Sequence, residues 1–141
     1  MPVTTPTTKL TPKIFVQNAS GALLATQHLI EHGHSRIGHI GGPAGVMSAV
    51  ERAEGWRRGL SEAGLQPKPA WHICSEYEIA AARVDAGRLL DGNPELTAIF
   101  AGSDASALGV MYAANGAFAS PMTCPWSAWM AWRWVSYLVR P

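Results

Sequence analysis

Apolar and polar positions alternate along this chain in two rhythms, one helical and one of short apolar runs closed by glycine or proline. From Ser20, the residues Ala22, Leu23, Thr26, His28, Leu29 and Ile30 fall on one stripe of a helix, with Ser20 placed to cap it and Gly33 to end it. Arg36 to Ile40 is a short apolar run stopped by Gly41-Gly42-Pro43, which predicts a strand. Helical spacing returns from Ser48 to Ala63, where Ser48 and Glu51 have the spacing of a capping box and Gly64 is the stop. Trp71 to Cys74 suits a strand, and Glu78 to Leu90 a helix ending at Asp91-Gly92-Asn93-Pro94. Thr97 to Ala101 suits a buried strand, after which Ser103 or Asp104 caps a fourth helix reaching Ala113. Ahead of these elements, residues 1–18 are an irregular lead-in in which Ile14 to Val16 suits a short strand.

Strand and helix in alternation predict an α/β fold, a partial doubly wound parallel sheet with helices on both faces and right-handed crossovers. In such sheets ligands sit beyond the carboxyl ends of the strands. Three loops are thereby nominated for a site: Gly41-Gly42, Ser75 to Tyr77, and Gly102-Ser103-Asp104.

Composition narrows the function more than the fold. With 48% hydrophobic and 15% charged residues over 141 positions, the chain suits one globular domain. A net charge of +1 supplies no broad basic surface for DNA or an anionic membrane. Cys74 and Cys124 make neither a disulfide framework nor a metal-ligand spacing. The Thr- and Pro-rich start is not a secretory signal, and no apolar run is long enough to span a bilayer, so a cytoplasmic setting is expected.

Candidate chemistry is sparse. Gly41 to Gly45 lacks the spacing of a dinucleotide or phosphate loop and suits a tight strand-to-helix turn. His28, His32 and His34 cluster at a helix end, where histidines commonly offset the helix dipole, and no carboxylate or thiol completes a metal site. No nucleophile with its base is legible, so neither catalysis, nor a cofactor, nor a metal is expected. Arg52, on the first turns of the second helix, could fork onto a ligand hydroxyl or carboxylate or be a solvated helix arginine. Tyr77 could stack on a sugar face or pack in its loop. Ser103 and Asp104 suit helix caps.

Several linked motifs resemble one family. His28-Leu29-Ile30-Glu31-His32-Gly33-His34, followed by Arg36 to Pro43, resembles the "HLIELGHRRIAFIGGP" stretch of LacI/GalR-type transcription regulators. Ser48-Ala49, Arg52, Gly55-Trp56, Leu60 and Ala63-Gly64-Leu65 are similar to the family's "SARxRxxGYxxALxxAGL" helix. Thr97 to Ala101 with Ser103-Asp104 and Ala107-Leu108-Gly109 resembles "TAIFAxSDxxALG". The resemblance runs from Gly21 to Ala113 and implies one lobe, residues 19–114, of a periplasmic-binding-protein-like sensor that closes on a small effector, usually a sugar or nucleoside. It implies effector contacts at Arg52, Tyr77 and Ser103, with Asp104 beside them, and a homodimeric repressor as the parent. DNA binding would belong to a helix-turn-helix that does not fit before Ser20. A sugar-binding protein of a transporter, sharing the same fold, is the alternative.

The resemblance stops where composition changes. Trp126, Trp129, Trp132 and Trp134 crowd the last stretch, and no acidic residue follows Asp104. The family has "GLRVPDDLSVVGFDD" at this place. Codons read from the third base of each plus the next two can encode "RGLRVPDDLSVVGVDGLEVGEL" from the same nucleotides. Several of those letters are forced: Met122 before Thr123 gives Asp, Trp129 before Met130 gives Asp, and Met130 before Ala131 gives Gly. Residues 115–141 are therefore expected to be a Trp-rich tail out of frame with the parent gene, and the product a fragment or pseudogene product.

Overall fold

The computed structural model describes residues 14–114, 127–131 and 135–139. The chain runs α1 (Asn18–Glu31), β1 (Ile37–Gly41), α2 (Met47–Glu62), β2 (His72–Cys74), α3 (Ile79–Gly92), β3 (Ala98–Ala101), α4 (Asp104–Ala114), β4 (Ser127–Ala131) and β5 (Val135–Val139). The strands form one sheet in the order β2-β1-β3-β5-β4. β1 lies between β2 and β3 and is parallel to both, with His39 opposite His72 on one side and Phe100 on the other. This is the expected parallel α/β sheet. β5 joins β3 antiparallel, and β4 joins β5 antiparallel. The rest of the expected Trp-rich tail, residues 115–126, 132–134 and 140–141, lies outside the described residues, as do residues 1–13 of the lead-in.

Strand alternation sorts the helices onto two faces. The His39 ring lies 5.8 Å from the Trp56 ring of α2, and the Trp56 indole N–H donates to the Ile37 carbonyl at 3.2 Å. Gly38, one residue along, turns to the other face, where a Cβ would meet Leu96 at 3.0 Å and Leu89 of α3 at 3.2 Å. Thus α1 and α2 cover one face while α3 and α4, packed on each other, cover the other. Leu29, Ile37, Ile40, Trp56, Leu60, Leu89, Leu96, Ile99, Phe100 and Val110 are fully buried between these layers.

Helix ends follow the sequence where glycine sets them and at the Ser103 cap, and depart from it at the expected caps of α1 and α2. Gly33 and Gly64 adopt φ of +91° and +74°. The amides of Gly33 and His34 return to the carbonyls of Ile30 and Leu29, and those of Gly64 and Leu65 to Ser61 and Leu60. Both are Schellman closures, which only a residue at ease with positive φ can make. The starts differ. Ser20 does not cap α1, which begins at Asn18 with Gln17 at the cap position and no side-chain bond there. Nor do Ser48 and Glu51 form a capping box: α2 begins one residue earlier, behind Val46, and Glu51 instead accepts a hydrogen bond from Asn18. At α4 Ser103 is the cap, its hydroxyl accepting the Ser106 amide at 3.1 Å, while Asp104 occupies the first turn.

Two smaller corrections concern the flanks. Ile14 to Val16 is not a strand but an irregular, exposed segment leading into α1. Trp71 belongs to a single 3-10 turn, Pro69–Trp71, rather than to β2, because the ring of Pro69 sets the turn and lets Trp71 bury.

Candidate functional site at the carboxyl ends of the parallel strands

Because β1, β2 and β3 are parallel, their carboxyl ends open on one side, and each leads directly into a loop and then a helix. The three nominated loops meet there through one side chain. Arg52, on the second turn of α2, donates from Nη1 to the Gly102 carbonyl after β3 at 2.8 Å and to the Tyr77 hydroxyl after β2 at 3.3 Å. The guanidinium still has donors on Nη2 and Nε, and its planar fork suits a hydroxyl pair or a carboxylate. The Gly102 carbonyl is a fixed acceptor, since its own amide is held by Ile40 at 2.8 Å.

Tyr77 has a seat made for it by a missing side chain. A Cβ on Gly42 would come within 2.2 Å of the Tyr77 Cζ and hydroxyl oxygen. The phenolic end of the ring therefore lies against backbone at the end of β1, with its hydroxyl accepting from Arg52. Gly41 to Gly45 thus serves as a tight turn: Gly45 has φ +85° and Val46 N–H returns to the Pro43 carbonyl at 3.2 Å.

Ser103 and Asp104 flank this pair, as the cap and the first residue of α4. The Ser103 hydroxyl is shared with Ser106, oxygen to oxygen 2.9 Å, in addition to accepting the Ser106 amide. Asp104 is exposed at the start of α4. A narrow cavity of about 30 Å³ adjoins the arginine, lined by Val16, Gln17, Asn18, Gly21, Ala22, Arg52 and Phe100.

Under the site lies an aromatic row that the sequence does not single out. His39 stacks on Phe100 at 4.6 Å between centroids and on His72 at 5.0 Å, spanning all three parallel strands. His39 Nδ1–H donates to the Phe100 carbonyl at 2.9 Å, which fixes the tautomer and leaves Nε2 buried with no partner. Complete burial pushes the His39 pKa down to about 3, against the smaller raising effect of that hydrogen bond. Partial burial, with Arg57 nearby, lowers the pKa of His72. The signal available in sequence is parity: His39 shares a face with Ile37 and Gly41 in a strand covered on both faces.

The His28 and His32 rings lie 4.2 Å apart, His32 Nδ1 contacts the His28 carbonyl, and His34 Nδ1 contacts the Thr97 hydroxyl. Among the described residues no three His, Cys, Asp or Glu side chains converge to hold a metal, and no helix is long and apolar enough to cross a membrane.

Comparison with known proteins agrees with this geometry. Residues 26–122 match the family model described as periplasmic binding protein-like domain. The chain is 37% identical over 98 residues to the HTH-type transcriptional repressor PurR of Aliivibrio salmonicida, covering 70% of this chain and 29% of that protein. It is 38% identical over 104 residues to the ribose operon repressor of Halalkalibacterium halodurans, covering 74% and 30%. The chain thus spans less than a third of the length of these curated relatives. Among solved structures it is similar to a transcriptional regulator CelR–cellobiose complex, with TM-score 0.70, 31% identity and coverage of 74% and 32%. A LacI family transcriptional regulator from Mycobacterium smegmatis gives TM-score 0.67, 32% identity and coverage of 71% and 38%. Fold, strand-end geometry and these relatives together place the chain in the periplasmic binding protein-like family, as part of an effector-binding domain of the LacI/GalR type.

Proposed function

We propose that this chain is one lobe of the effector sensor of a cytoplasmic, homodimeric transcription repressor, and that its ligand is a small polyhydroxylated molecule, a sugar in the first instance. The observation that carries this reading is the Arg52 guanidinium held between the Gly102 carbonyl and the Tyr77 hydroxyl at the strand ends. Arg52 offers directional donors to ligand hydroxyls, and Tyr77 offers a ring face of the size of a pyranose or furanose. Ser103 and Asp104 stand at the rim as further polar contacts. The role is sensing rather than catalysis. The names of the relatives, all transcription regulators, favour this over a transporter's binding protein.

Titration calorimetry with a panel of pentoses, hexoses and disaccharides, ribose and cellobiose included, tests it. Arg52→Ala should weaken the best ligand by about 10- to 100-fold, the worth of a hydrogen bond to a charged group. Unchanged affinity in the variant, or no binding across the panel, would count against the site.

We further propose that the lobe proper is residues 19–114 and that residues 115–141 are read out of frame. The support is that the shifted frame spells a turn and a buried strand of the kind that follows α4 in the resembling family, with several letters forced by Met and Trp codons. An insertion or deletion near the codons for Ala113 to Asn115 should appear on resequencing the gene. An intact gene, with close relatives sharing the Trp-rich tail, would defeat this.

A further inference from the structure

The start of α1 has no cap or acid of its own. Gln17 makes no side-chain bond there, and the first turn contains no Asp or Glu. The positive end of that helix is nonetheless met by a carboxylate, supplied by the neighbouring helix. Asn18 Nδ2 donates to Glu51 Oε2 at 2.8 Å, a partly buried contact between residues 33 apart in sequence. The same Asn18 holds the incoming chain: its amide N–H donates to the Val16 carbonyl at 2.9 Å, with Nδ2 at 3.4 Å from that oxygen. Glu51 lies beyond the first turn of α2 and makes no cap there.

This contact is not a chance meeting of surface side chains. One turn further along α2, Gly55 lets the two helix backbones touch, since a Cβ there would lie 2.2 Å from the Ala19 carbonyl oxygen. That approach fixes Asn18 and Glu51 at bonding distance. Glu51 also precedes Arg52, and Val16, Gln17 and Asn18 form one wall of the small cavity against the arginine.

We infer that Glu51 is a positioning residue: it holds the Asn18 side chain from across the helix pair, and through Asn18 ties the segment Ile14–Gln17 to the helix that carries Arg52. The entering chain and α2 then move as one body. A shift of either is passed to the other through a single charge-assisted hydrogen bond, a short and directional link. This role goes beyond effector binding and does not depend on which ligand the site takes.

Hydrogen exchange by mass spectrometry on the full chain tests it. Glu51→Ala should speed exchange of the amides of residues 18–23 by about tenfold while leaving α3 and α4 peptides unchanged. Asn18→Ala should do the same, and the double variant should add nothing. Glu51→Gln, which keeps an acceptor oxygen at the same reach, should restore most of the protection. Should Glu51→Ala fail to fold, Glu51→Asp retains the charge but falls short of Asn18 and is expected to show the same local loss. Unchanged exchange at residues 18–23, additive effects in the double variant, or equal acceleration throughout the molecule would each overturn the assignment.

Discussion

His39 is the residue whose chemistry differs most from its ordinary behaviour. Its imidazole sits between Phe100 and His72 with no access to water, and burial holds it neutral with a pKa near 3. The unfolded chain takes up that proton near pH ~6.5. A base whose folded pKa is depressed leaves stability intact above the unfolded value, and stability drains away as pH falls from there toward the folded value. At pH 5 this amounts to about 2 kcal/mol. Urea midpoints measured at pH 7 and pH 5 should therefore differ, and His39→Asn, whose amide can still donate to the Phe100 carbonyl, should shrink the difference. A wild-type midpoint that does not move between those pH values would contradict this. Among the candidate ligand contacts, Arg52 was nominated on a predictable helix and Tyr77 in a predictable strand-end loop, and the structure brings the two into contact. Ser103 was legible too, but its hydroxyl is committed to Ser106. The acceptor that orients Arg52 is a backbone carbonyl, Gly102, which side-chain patterns do not reveal.

Elements pack through glycines whose effect runs opposite to their propensity. In an open helix position Gly→Ala stabilises by about 0.5–1 kcal/mol. Gly87 of α3 is such a place, with nothing within 4 Å of a new Cβ. Gly55 of α2 and Gly109 of α4 are not: a methyl at 55 would reach the Ala19 carbonyl at 2.2 Å and Ala22 Cβ at 2.7 Å, and one at 109 would reach Ala82 Cβ at 2.6 Å and Arg83 N at 2.7 Å. Overpacking of that kind costs about 1–3 kcal/mol. Chemical denaturation should show Gly55→Ala and Gly109→Ala destabilised and Gly87→Ala stabilised; three shifts of the same sign would refute the helix-contact account. Helix stops were readable from Gly33 and Gly64 because positive φ is a property of one residue. The starts of α1 and α2 were not, because α1 draws its acid from α2 and α2 begins behind a valine, and no local spacing records either fact; the Ser103 cap of α4 was.

At the scale of the molecule, the parallel sheet and the convergence of its three loops followed from the alternation of elements alone. Parallel strands joined by helices leave few ways to arrange the chain. The antiparallel β5 and β4 had no such signature, since the residues that form them show neither strand alternation nor a family pattern. In the shifted frame proposed for residues 115–141, the segment after α4 is expected to supply a further parallel strand instead. A chain expressed from that frame should melt at a higher temperature and sediment as a dimer. Equal melting of the two chains would argue that the present tail is a native part of the sheet.

The central place of β1 has a consequence for the order in which the protein is made. Synthesis delivers Ile37–Gly41 before either of its neighbours, and β2 arrives about 25 residues ahead of β3. A ribosome paused in that interval holds an apolar strand that is paired on one edge and open on the other. Translation speed between Cys74 and Ala98 thereby bears on yield, because an open strand edge is a template for pairing with another nascent chain.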